Sequence, residues 1–151
     1  MTTSNKSIDA LVELLQSAIP DSTVNDGPSP GYDSSVDSMY TDISVGWSPD
    51  SDSGVAELAR EGMGGRARES YDIRCTINAY TGEMGMKAAR DRAYDVYREC
   101  AMSIKSTKTL GVDGVLRAQP SLVSYQAANT DRKGVLATII FTVTVDGFAE
   151  Y

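Results

Sequence analysis

The chain has 151 residues, 21 of them acidic and 14 basic, with a formal net charge of −7, two cysteines and no histidine. This length suits one domain with a substantial core. The composition excludes Ser-His-Asp and Cys-His catalytic sites and His-ligated zinc or haem. The charge argues against general nucleic-acid affinity, which Lys and Arg supply by neutralising phosphates. Residues 1–60 hold ten acids and two bases, and residues 61–151 hold eleven acids and twelve bases, so the negative charge belongs to the front of the chain. Such asymmetry marks either a directed field or a solvated, solubilising face.

In chain order, the first predicted element is a helix over Ser4–Ile19. Ile8, Leu11, Val12, Leu15, Ala18 and Ile19 recur at helical spacing, Ser4 or Ser7 can cap the start, and Pro20 ends it. Residues 20–38 read as a loop insertion rich in Pro, Gly, Asp and Ser, with a short extended piece at Ser22–Asn25. Met39–Trp47 alternates as a half-buried strand, with Asp42 on the wet side. Residues 48–65 read as a second loop insertion, its glycines Gly62, Gly64 and Gly65 forming a hinge.

Arg66–Tyr80 is the next strand, with Tyr71, Ile73, Cys75, Ile77 and Ala79 facing inward. A helix over Met84–Lys105 follows, its stripe running through Met86, Ala89, Ala93, Val96, Tyr97, Cys100, Ala101 and Ile104. Lys87–Asp91 and Asp95–Arg98 are opposite-charge pairs on its wet side. Leu110-Gly111 marks a stop region. Two strands close the chain. In one, Val123, Tyr125 and Ala127 alternate with Leu122, Ser124 and Gln126, and the other has Ile139, Phe141, Val143 and Val145 inward, with a hairpin loop over Asn129–Gly134 between them. The expectation is a single α+β domain over 1–151 in the order α-β-β-α-β-β. Its mostly antiparallel four-stranded sheet carries both amphipathic helices on one face.

No catalytic or cofactor constellation stands out. Asp50-Ser51-Asp52-Ser53-Gly54 with Glu61 approaches a calcium loop, but Val55 occupies the sixth position, where glycine belongs. Gly62-Met63-Gly64-Gly65 lacks the Lys-Ser/Thr ending of a phosphate loop and opens a strand instead of a helix. Cys75 and Cys100 match no metal spacing and read as buried thiols. No signal-peptide layout and no apolar run of ~18 residues is present, so a soluble protein made in a cytoplasm, without a membrane partner, is expected. Eight tyrosines against two phenylalanines and one tryptophan favour surfaces that are half buried and half wet, as at protein interfaces.

The chain resembles the tail terminator proteins of long-tailed bacteriophages, of the type found in phages of actinobacteria. The resemblance covers residues 5–148. It rests on the helix Ile8–Ile19, Val45-Gly46-Trp47-Ser48, the segment Gly65-Arg66-Ala67-Arg68-Glu69 entering the strand Tyr71–Ile77, and the turn at Gly82. It continues through the Ala/Arg-rich helix Lys87–Val96, Thr109-Leu110-Gly111, Val115-Leu116-Arg117 and two closing strands.

The resemblance implies a structural, non-enzymatic virion protein without a cofactor. Such a protein forms a ring, typically of six copies, at the head–tail junction. Its partners are further copies of itself, the tail tube protein and the head-side neck or connector protein, with DNA passing through unbound. Under this reading Asp50, Asp52, Glu57, Arg60, Met63, Arg66, Arg68, Asp131, Arg132 and Lys133 are expected at interfaces. Asp26, Asp33, Asp37 and Asp42 are expected to face the channel. The alternatives are another neck component, such as a head–tail stopper or tail-completion protein, and a small α+β ligand-binding or regulatory domain.

Overall fold

In the computed structural model, which describes residues 2–28, 40–49, 55–63, 66–82, 85–129 and 134–150, the elements are α1 (Ser4–Ala18), β1 (Thr23–Asp26), β2 (Tyr40–Val45), β3 (Val55–Met63), β4 (Arg66–Thr81), α2 (Met86–Thr107), β5 (Val115–Asn129) and β6 (Val135–Glu150). Two strands run its length. β4 and β6 pair antiparallel from Arg66 opposite Glu150 to Thr81 opposite Val135. At ~3.3 Å per residue this ladder is about 50 Å long. β5 lies along the outer edge of β6, from Val115 opposite Gly147 to Asn129 opposite Val135.

The other edge of β4 is shared. β2 pairs with Cys75–Tyr80 and β3 with Arg66–Ile73, both antiparallel. Between them the Gly46 and Trp47 N–H groups donate to the Arg74 carbonyl at 2.8 and 3.1 Å. β1 adds parallel outside β2. The order is β1-β2-β4-β6-β5, with β3 beside β4 beyond the end of β2.

Alternation along β4 and β6 places Tyr71, Ile73, Cys75, Ile77 and Ala79, and Ala137, Ile139, Phe141, Val143 and Val145, on one face, all buried. Both helices pack there. α2 contributes Ala89, Ala93, Val96, Cys100 and Ile104, and the α1 segment contributes Leu11, Leu15 and Ile19. Tyr97 meets Phe141 edge-on with ring centroids 5.4 Å apart. The opposite face is mostly polar, with Tyr80 and Ile140 buried among its polar side chains. On one rung Asn78 Nδ2 donates to Asp42 Oδ1 (3.1 Å) and Thr138 Oγ1 donates to Asn78 Oδ1 (2.9 Å). Nearby, Thr144 Oγ1 donates to Asp72 Oδ1 at 2.6 Å. A one-residue slip would exchange the two faces, so the apolar core and the polar rungs specify the same register.

The α+β class and the two helices on one sheet face agree with the sequence expectation, but the sheet is larger and mixed. β1 is too short for its four residues to display a period, yet it pairs along β2. The predicted loop 48–65 contains β3. Its glycines read as breakers, but Met63 pairs with Arg66. A register shift between Glu57 and Ala59 erases the alternation that would have revealed the strand.

β5 starts earlier than predicted and changes phase. The irregularity between Leu122 and Ser124 sets Leu122 opposite Phe141 and Tyr125 opposite Ile139, so both stand on the helix side. β2 is buried from Thr41 through Val45, not half-buried. Met86, predicted in the α2 stripe, is exposed, because it lies in the first turn, outside the buried set that begins at Ala89. Replacing Ile77, which is fully buried in the middle of β4, by Ala should cost about 2–5 kcal/mol. The check is a chemical-denaturation midpoint measured against the parent chain. An unchanged midpoint would contradict this core.

Candidate functional site

The ladder separates the sequence-predicted interface residues into two groups at opposite ends. Glu57, Arg60 and Met63 lie on β3 and Arg66 and Arg68 on β4, where pairings Arg60↔Glu69 and Met63↔Arg66 bring them together around one hairpin. Asp131, Arg132 and Lys133 lie outside the described residues, in the connection that leaves β5 at Asn129 and re-enters at Val135, beside Thr81 at the far end of β4. Asp50, Asp52, Asp33 and Asp37 also lie outside the described residues. Asp26 ends β1 and is exposed. Asp42 is a correction. It is 1% exposed and accepts from Asn78 on the polar rung, so it cannot face a channel. Alternation assigned its side of the strand correctly, but that side is buried.

The two long sides of the sheet differ. On one stand α1, β1 and the exposed acids Asp9, Glu13, Asp21 and Asp26. Arg92 of α2 reaches across to this side. Its Nη2 donates to Asp21 Oδ2 (2.8 Å) and its Nε to Thr41 Oγ1 (3.3 Å), at a cleft of about 440 Å³. The other side ends in β5. Pro120 has no N–H to give, and irregularities at Val115/Arg117 and Leu122/Ser124 interrupt the ladder. Such features blunt an edge against strand addition.

Beside β5, α2 carries a groove of about 410 Å³ lined by Tyr94, Asp95, Tyr97, Arg98, Met102 and Lys105, among others. Tyr94 stacks at a tilt on Tyr125, centroids 5.5 Å apart. Met102 is 64% exposed, and Leu122 and Val123 also lie open to solvent. Helical periodicity did not single out this groove, because Tyr94 and Met102 fall off the core stripe.

A buried polar network, also unpredicted, fixes α1 to the sheet. Glu69, 3% exposed, accepts from the Thr3 N–H (2.8 Å) and from Thr3 Oγ1 (2.7 Å). The Tyr71 hydroxyl stands 2.9 Å from Thr3 Oγ1 and donates to Ser7 Oγ (2.8 Å). Thr3, not Ser4 or Ser7, occupies the N-cap, and its side chain is given to Glu69 instead of the helix. Burial holds the Tyr71 phenol above its ordinary value, against the lowering effect of its Ser7 and Thr3 hydrogen bonds.

On the wet face of α2 the predicted pairs form. Lys87 binds Asp91 and holds that carboxyl below its usual range. Arg98 Nη2 lies 3.2 Å from Asp95 Oδ1. Among the described residues no group of three or more His, Cys, Asp or Glu side chains could hold a metal. No described helix is long and apolar enough to cross a membrane.

The geometry defines a two-layer α+β protein with two dissimilar ends and two dissimilar edges. No family model matches the chain, and neither does any curated protein. Solved structures similar to it include the virion of a native gene transfer agent particle. That match is 14% identical with a TM-score of 0.46, over 93% of this chain and 94% of that one. Another is the sheath/tube terminator of an extracellular contractile injection system, PVC, in its extended state. It is 13% identical with a TM-score of 0.41, over 98% of this chain and 56% of that one.

Cys75 and Cys100 face the same core as free thiols. Burial pushes Cys75 from an ordinary 9.0 up to about 12 and raises Cys100 as well. Since the thiolate is the nucleophile, both should resist iodoacetamide at pH 8 until the chain unfolds, as read by intact mass. The folded value of Cys75 lies above the unfolded one. Its contribution to stability is therefore full below pH 9 and is lost as pH rises through about 12. Rapid labelling of native protein would contradict the burial of these thiols.

Proposed function

We propose that this chain is a structural component of a phage-like tail, a terminator. Copies of it close into a ring, with six as the expected number. The ring caps the tail tube and joins it to the head-side neck, and DNA passes through the middle. The observation that carries this reading is the two-ended, two-edged sheet. One end of the β4–β6 ladder carries the β3–β4 hairpin and the other the β5–β6 connection, about 50 Å apart. A junction piece needs such separation, because it must meet a different partner on each side. The unlike long edges meet the requirement for a closed heterologous ring, in which each copy offers one surface and receives another.

Interface roles for Asp50, Asp52, Glu57, Arg60, Met63, Arg66, Arg68, Asp131, Arg132 and Lys133 are part of this proposal. Channel-facing roles are kept for Asp26, Asp33 and Asp37, where acids would repel DNA phosphates. Another neck component, stopper or tail-completion protein, would use the same geometry, and tube capping separates it from a terminator. The ligand-binding alternative would place its site at the Arg92 cleft, but the Arg92 guanidinium is already engaged by Asp21 and Thr41.

Native mass spectrometry and negative-stain imaging of the purified protein with polymerising tail tube should give rings with a central hole. These rings should seat on tube ends and stop elongation. Tubes that grow unchanged in the presence of excess protein, with no ring at their ends, would overturn the reading.

A further inference from the structure

The two long edges of the molecule have complementary surfaces. We infer that the groove on the outer surface of α2, whose Tyr94 stacks on Tyr125 of β5, is the receiving side of the subunit–subunit contact, and that the outer face of α1 from a second copy occupies it. This rests on the ring reading above. Within the groove Tyr94 and Met102 are open to solvent and Tyr97 and Ala101 complete its apolar lining. Its rim carries Arg98 and Lys105 against Asp95. Arg98 is paired with Asp95, which leaves Lys105, in the last turn of α2, without an ion-pair partner among the described residues.

The complement stands on the opposite edge. Asp9 and Glu13 are one turn apart on the exposed side of α1, also without ion-pair partners among the described residues. Val12 lies between them in sequence and is partly exposed, which provides an apolar contact on the same helix.

Two further features favour α1 over other occupants. β5 is blunted by Pro120 and by two ladder irregularities, so this edge favours side-chain docking over strand addition. In addition, α1 packs over the β1–β2 side of the sheet while α2 packs over β4, β6 and β5. Donor and acceptor therefore sit on opposite edges of one subunit. One copy cannot satisfy its own groove, and each contact leaves a new donor and a new acceptor free until the ring closes.

The test is a charge swap read by sedimentation velocity and ring counting. Lys105→Glu, and separately Met102→Asp, should weaken self-association by roughly tenfold to a hundredfold, because each sets a negative charge against the acidic α1 face. Both positions are exposed, so circular dichroism and Tm should stay at the parent values. Adding Asp9→Lys and Glu13→Lys to the Lys105→Glu chain should restore association. A benzoylphenylalanine photocrosslinker at position 102 should capture α1 of another copy, mapped by peptide mass. Parent rings that the Lys105 and Met102 variants leave unaffected, or crosslinks to the tube subunit or to another part of the chain, would overturn the groove assignment and leave the ring reading standing. A parent chain that neither self-associates nor caps tube would overturn both.

Discussion

The antiparallel ladder between β4 and β6 is the constraint on which the other elements depend. It joins the chain's middle to its end, from Arg66↔Glu150 to Thr81↔Val135. Every other strand pairs with one of these two or with a strand that does, and both helices pack on the face that they define. Its length also sets the outline of the molecule. β2 has six residues and occupies less than half of the free edge of β4. The rest of that edge would stand as unpaired N–H and C=O groups if β3 did not fill it. The nine residues between Val45 and Val55 thus interrupt what is otherwise one long companion to β4, and the interruption falls at Arg74.

A second constraint acts at the start of the chain. α1 has a modest apolar face, and its first turn is held by polar groups. Thr3 and Ser7 meet Glu69 and Tyr71 in a buried cluster whose partners are more than sixty residues apart in sequence. A carboxylate this buried is tolerated because it is hydrogen-bonded. The arrangement ties α1 to β4 at the level of the β3 hairpin, so the surface offered by α1 has a fixed position relative to the sheet. At this same end of the sheet, where β5 begins, Gly114 and Gly147 approach closely. A Cβ on Gly147 would stand 2.3 Å from the Gly114 carbonyl oxygen, so only glycine fits where β5 enters the sheet.

Legibility in the sequence followed the physics of each element. α1, α2, β4 and β6 could be read because their apolar residues keep one period over many residues, as in Tyr71–Ala79 and Ile139–Val145. β3 and β5 could not be read fully, because an irregularity in a strand shifts the period by one. Glu57/Ala59 hides β3, and Leu122/Ser124 breaks the alternation of β5, so that Leu122 and Tyr125, one from each alternating set, share a face. Asp42 illustrates a different limit. Its side of β2 was legible from alternation, but its burial depends on neighbours far away in sequence, and Asn78 receives it there. The groove was illegible for a related reason. Tyr94 looks like an ordinary wet-side residue of a helix until Tyr125 of β5 is placed beside it.

The correction at Asp42 changes how the front-loaded acidity acts. One of those acids is spent inside the sheet, and Asp21 is neutralised by Arg92. Asp9, Glu13 and Asp26 remain exposed, all on the side of α1 and β1. The opposite edge offers an exposed apolar groove with Lys105 at its rim, and a strand that Pro120 and two irregularities make unfit for further pairing. An edge blunted in this way suppresses open-ended sheet growth, as the proposed ring would require. Side-chain docking fixes an angle between neighbours that a flexible strand ladder would not, and whether the sequence of contacts ends in a ring or a filament depends on that angle.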